Sequence, residues 1–149
     1  MATTVEAADA TITVSETYTL NGVDYGNTIS KTYTANGNVV QRIMSIPTAL
    51  TSIFNFGASD SAGQADKSNF KYFRITNLDD TNYMTLQIED ATPDTIFLKL
   101  NAGECITLFD NEYDIDQAGR TFASWKQITA IKGTSDTDAI DVEFFCVTG

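Results

Sequence analysis

The sequence predicts an all-β fold, an antiparallel β-sandwich or jelly roll with an extended N-terminal arm. Three observations carry that expectation. Nearly every apolar cluster alternates with polar residues at period two. Turn-forming residues cut the clusters into runs of strand length. No stretch holds a helical apolar period for more than about two turns. In the run Tyr83 to Glu89, Met84, Leu86 and Ile88 leave one face, while Tyr83, Thr85, Gln87 and Glu89 leave the other.

Residues 1–10 are small and polar without periodicity and predict a flexible N-terminal arm; residues 11–149 predict a single β-sandwich domain. From Thr11, an apolar set of Ile12, Val14, Tyr18 and Leu20 alternates with Thr and Ser, a long strand whose apolar face is interrupted only by Glu16 and whose Thr-rich face suits an edge or a subunit contact. Asn21-Gly22 is a strong hairpin signal, and Asn36-Gly37-Asn38 repeats it after the Ile29 to Thr34 run, so two hairpins are expected. Val39 to Ile46 and Ile53 to Phe56 are dense enough to be central strands, with a single helical turn expected at Thr48 to Thr51. The small, polar stretch from Ala58 to Ser68 predicts a surface loop.

The runs Phe70 to Leu78, Tyr83 to Glu89 and Ile96 to Leu100 are joined by Asp/Asn/Pro-rich linkers, which predicts an antiparallel meander. Asn101 to Glu104 then turns the chain into a strand at Cys105 to Phe109, and Asp110 to Thr121 forms a second polar excursion. Trp125 to Ile131 predicts a strand ending at Lys132-Gly133, and Ile140, Val142, Phe144 and Cys146 bring the last strand into the sheet.

Length and charge narrow the function classes. A chain of 149 residues suits one core, with roughly two thirds of the unfolded surface removed from water. A net charge of −11 leaves few cations to neutralise phosphates, which disfavours direct nucleic-acid binding, and it repels anionic lipid. No apolar run approaches the roughly 20 residues of a membrane helix. The first residues carry neither a basic region nor an apolar segment, so synthesis in a cytoplasm is expected. Cys105 and Cys146 each lie in an apolar run without metal or redox spacing, and two buried thiols are expected.

Histidine is absent, which removes the commonest general base and metal ligand. Carboxylates could serve as an acid and base pair, with Asp79 and Asp80, Asp110, Asp114 and Asp116, or Asp141 and Glu143 as the candidates. Asp79 and Asp80, however, sit where a turn uses Asp for backbone reasons. The cluster Asp110 to Asp116, and the smaller pair Asp136 and Asp138, offer oxygen ligands for Ca²⁺ but lack the EF-hand pattern. Solvated acidic loops explain them without an ion. The glycines give no phosphate-cradle spacing, and the nine Lys and Arg are scattered. No catalytic, cofactor-binding or metal role is therefore assigned to any residue. A carbohydrate or receptor reader would need Tyr113, Phe122 or Trp125 gathered on a loop surface, whereas ordinary core filling is the favoured account of them.

The run Phe73 to Asp79, then Asn82 to Leu86, then Phe97 to Glu104, with Ile128 to Lys132 and Asp138 to Phe145 at the end, resembles a pattern in small β-sandwich virion structural proteins of tailed bacteriophages. The likeness covers about the C-terminal half and contains no reactive group. It implies a non-enzymatic virion protein, first a head cement or decoration protein, with a tail or fibre component as the alternative. The partners implied are the major capsid protein or tail proteins and further copies of the chain in a closed oligomer.

Overall fold

The computed structural model describes residues 8–35, 39–61, 63–91, 94–113 and 126–149, and they are almost entirely extended chain. The strands are β1 (Ala8–Glu16), β2 (Thr19–Leu20), β3 (Val23–Asp24), β4 (Asn27–Ala35), β5 (Val39–Ile46), β6 (Thr51–Gly57) and β7 (Gln64–Asp66), followed by β8 (Phe70–Asn77), β9 (Met84–Asp90), β10 (Thr95–Leu100), β11 (Cys105–Leu108), β12 (Glu112–Tyr113), β13 (Lys126–Ser135) and β14 (Ile140–Thr148). Two sheets form the body. One has the order β11-β8-β14-β5; the other runs β10-β9-β13-β6-β7, with β12 paired to the start of β13. All neighbours are antiparallel except β6 and β7. The predicted all-β sandwich is thus the observed architecture.

The sheets enclose one apolar core because alternate residues of each of their long strands face inward. From the four-stranded sheet come Ile46, Phe73, Ile75, Val142 and Phe144; from the other come Phe54, Phe56, Met84, Leu86, Ile128 and Ile131. Phe54 is the keystone. Its ring meets Phe144 at 5.3 Å and Phe73 at 5.7 Å across the sandwich, and Phe56 at 5.4 Å on its own strand. Full burial of such side chains contributes about 1.5–3 kcal/mol each and is the main force holding the layers together.

Buried Asn77 fastens the edge where the chain changes sheet. Its Nδ2 donates to the carbonyls of Asn82 at 2.8 Å and Leu100 at 3.3 Å, while its Oδ1 accepts from the Asp79 amide at 3.0 Å. Asp79 then accepts the amides of Thr81 and Asn82, closing the linker on itself.

Several expectations need correction. The three runs from Phe70 to Leu100 do not form a meander: β9 and β10 are a hairpin, but β8 lies in the opposite sheet between β11 and β14. Alternation is the same whichever layer the next strand joins, and the Asn77-anchored linker crosses the sandwich instead of reversing within it. The second hairpin is not formed either. Asn36-Gly37-Asn38 lies outside the described residues, and the flanking strands separate, β4 onto β1 and β5 onto β14. Strand β5 is an edge rather than a central strand, leaving Val39 and Ile43 exposed on its outer face.

At Thr48 to Thr51 a bend replaces the helical turn, because the Pro47 and Thr48 carbonyls bond sideways to Ser135 and Thr134. The Ala58 to Ser68 stretch contains β7 and leads into a single 3-10 turn, Lys67–Asn69, capped by the Asp66 side chain. Strand β13 runs on past Lys132-Gly133 to Ser135, carried by its pairing with β9. Cys146 is buried as expected, but Cys105 is exposed on the outer face of edge strand β11. The arm boundary also moves. Ala8, Ala10 and Asp9 already pair with Ala35, Tyr33 and Thr34, and residues 1–7 of the predicted arm lie outside the described residues.

Candidate functional site

The most distinctive surface is built by residues 8–35. Strands β1 and β4 pair over nine residues each, from Ala8 opposite Ala35 to Glu16 opposite Asn27. Pairing fixes two faces. On one, hydroxyl pairs Thr11–Thr32, Thr13–Ser30 and Ser15–Thr28 each meet at 3.0 Å, and Thr34 donates to Asp9. This ladder locks the register, since a one-residue slip would turn every hydroxyl to the opposite side. The other face carries Ala8, Ala10, Ile12 and Val14 opposite Ala35, Tyr33, Lys31 and Ile29.

At the tip, β2 and β3 turn through Asn21 and Gly22, whose φ values of 51° and 81° suit the two-residue hairpin turn that Asn-Gly favours. The Tyr25 amide donates to the Tyr18 carbonyl at 2.7 Å, and the two rings stand 5.9 Å apart. The predicted Asn21-Gly22 hairpin is therefore present, at the end of a longer projection.

Among the described residues, only the base of this projection is anchored. Ala35, with Ala10, Ile12 and Tyr33 beside it, packs on Tyr72, Phe145 and Val147 of the outer face of the four-stranded sheet, forming a second, smaller apolar cluster. Every residue from Thr13 to Thr32 is exposed, including Val14, Tyr18, Leu20, Val23, Tyr25 and Ile29. Between the hairpin and the sheet lies an open groove of about 430 Å³, lined by Thr11, Ile12, Thr13, Gln41, Tyr72, Arg74 and Phe145. On the same sheet face Glu143 accepts from Arg74 at 2.7 Å and from Gln41. Burial raises the Tyr72 phenol pKa, so that the hydroxyl is neutral at ordinary pH.

The carboxylates singled out in the sequence are engaged elsewhere. Asp79 has its pKa lowered, first by the Asn82 amide and then by that of Thr81, and its neighbour Asp80 accepts from the Thr81 hydroxyl. Glu143 is held by Arg74 and Gln41, whereas Asp141, on the same strand, is exposed. Asp110 caps the Glu112 amide; Asp114 and Asp116 lie outside the described residues. Asp136 and Asp138 are exposed in the turn before β14, where the Asp138 carbonyl accepts from Ser135. Among the described residues no three His, Cys, Asp or Glu side chains gather as a metal site would need. Tyr113 is half-buried against the main core, and Phe122 and Trp125 lie outside the described residues.

Sequence reasoning named the Thr-rich face as a contact surface but missed the lift of the hairpin away from the body. The signal available was the interruption of period-two order at Glu16-Thr17 together with Gly26, next to which the hairpin narrows into its tip. No helix among the described residues is long and apolar enough to cross a membrane. Comparison with protein-family models, curated proteins and solved structures finds no match.

Proposed function

We propose that this protein acts through contact rather than chemistry, as a structural subunit of a tailed-bacteriophage particle, and first as a cement or decoration protein on the head. The observation that carries the reading is the projecting hairpin, whose apolar face is anchored at its base and open along the rest of its length. A two-layer body with a continuous aromatic core is a stiff mount for such a projection. Contact area is what it presents.

The net charge of −11 complements basic patches on capsid or tail subunits and favours fast, oriented docking on them. The strand-and-turn pattern shared with small virion proteins in the C-terminal half supports the same reading. Mass spectrometry of particles purified from a lysate, followed by imaging of the intact particle, tests it. The expected result is the chain in stoichiometric amount on the head shell. Finding it on the tail would replace decoration by a tail role, and its absence from purified particles would overturn the reading altogether.

A further inference from the structure

The projecting hairpin has one largely apolar face, interrupted by Lys31 and by the Glu16–Asn27 pair, and its environment changes along its length. Near the base, Ala10, Ile12 and Tyr33 are sealed against Tyr72, Phe145 and Val147. Farther out, Val14 and Ile29 form the next cross-strand pair on that face, and Tyr18, Leu20, Val23 and Tyr25 follow at the tip. From Thr13 outward this ribbon is two strands wide with nothing buried, and an isolated two-stranded ribbon is marginal in water.

The surface against which the base is sealed also continues uncovered. Across the four-stranded sheet, Val39, Val147 and Tyr72 make one row, Gln41, Phe145 and Arg74 the next, and Ile43, Glu143 and Thr76 the third. The hairpin base covers Val147 and Tyr72 of the first row, leaves Val39 exposed, and leaves a groove over the second row. In the third, Ile43 is 61% exposed on edge strand β5.

We infer that the outer half of the hairpin docks on this outer face of the four-stranded sheet in a second copy of the chain, so that copies associate hairpin to sheet. The inference rests on the contact-based role proposed above and names its first partner. Continuity is the first argument: the intramolecular contact is already hairpin face on sheet face, and each copy carries an uncovered extension of both halves. Size is the second. The six exposed apolar side chains present roughly 600 Å² per hairpin, near the ~800 Å² per partner of a standard interface.

Reach is the third argument. Residues 13–21 span on the order of 25–30 Å when extended, about the width of a small domain. A hairpin-to-sheet contact uses two different surfaces, so the assembly closes either by two copies exchanging hairpins or as a ring.

The test is the solution mass of the purified full-length chain by light scattering on a sizing column at micromolar concentration. A closed oligomer is expected. Tyr25→Ser with Ile29→Asp on the hairpin, and separately Ile43→Asp on the sheet, should each give the mass of a single chain with unchanged circular dichroism and a melting temperature that, unlike the wild type's, does not rise with protein concentration, because all three side chains are exposed in the single chain. Should either variant fail to fold, Tyr18→Ser with Val23→Ser replaces the hairpin variant and Ser45→Glu the sheet variant.

Mixing the two variants should restore association as a species of two chains, one supplying the intact hairpin and the other the intact sheet face. A wild-type chain of single mass, an Ile43→Asp variant that stays oligomeric, or a mixture that stays monomeric would overturn the inference. Particle proteomics separates the two readings. A monomeric chain present in virions sinks this inference alone, and an oligomeric chain missing from virions sinks the virion reading alone.

Discussion

Replacing Asn77 with Ala should cost this fold about 3 kcal/mol although no apolar contact is lost. The Asn77 side chain is 0% exposed and ties three backbone groups from two different connections, the Asn82 and Leu100 carbonyls and the Asp79 amide. Asn82 and Asp79 are half-buried, so water can reach them after truncation, and each lost bond then costs about 1 kcal/mol. Leu100 is buried, and a carbonyl left without its partner there adds roughly another 1 kcal/mol. For a domain of this size, that total lowers the melting temperature by roughly 6–12 °C. Urea unfolding followed by circular dichroism measures it, with the denaturant slope checked for constancy so that the shift reports native stability. A loss below about 1 kcal/mol would refute the reasoning, because it would mean that water substitutes for the amide and that the sheet crossing is held by apolar packing alone.

Phe54→Ala removes the ring that meets Phe56, Phe73 and Phe144, and a loss of about 3–5 kcal/mol is expected by the same urea assay. In the monomeric Ile43→Asp background, shortening the hairpin by joining Thr13 to Ser30 through Asn-Gly should leave the melting temperature of the body within about 2 °C, since nothing between them is buried; a larger drop in calorimetry would show hidden support. Native alkylation at pH 8 should modify exposed Cys105 readily. Cys146, whose pKa is pushed up to about 12 by burial, should react roughly a thousandfold more slowly than in urea, as read by mass spectrometry.

Backbone amides lower the Asp79 pKa, so its stabilising share is present above the unfolded value near 4 and is lost as pH falls through the lower folded value. Asp79→Asn keeps an acceptor oxygen but not the titration. The melting temperature of the wild type should therefore fall more than that of the variant between pH 5 and pH 3, and parallel curves would contradict the assignment.

Strand positions in the two main sheets were legible because each long strand there has one buried face: Met84, Leu86 and Ile88 are buried, and Phe144 and Cys146 on β14 are as well. Layer membership was not legible. The alternation in β8 is satisfied equally by a neighbour in its own sheet and by a core partner across the sandwich, and only the Asn77 bonds decide which linker crosses. Edge strand β5 misled for a related reason, since apolar Val39 and Ile43 resemble a doubly buried strand when read without neighbours. Cys105 failed in the same way, as a run of Cys105, Ile106, Thr107, Leu108 and Phe109 fits either phase and the observed phase puts Ile106 and Leu108 inward. In the hairpin, Asn21-Gly22 and the Thr alternation were readable, but exposure of its apolar face was not, because a side chain's pattern states which neighbours share its face and not whether anything covers it.

The order in which strands sit side by side imposes a schedule on synthesis. Strand β14 lies between β8 and β5, and β13 lies between β9 and β6, so both layers keep a gap at their middle until residues 126–148 have left the ribosome. The β1–β4 ribbon needs only its own 28 residues, whose pairing is local, and it can form long before the layers close. During translation the nascent chain therefore displays its sticky finger first and its rigid body last. Any neighbour that recognises the finger meets a half-made molecule, and crowding on one messenger would favour encounters between sister chains before either is complete.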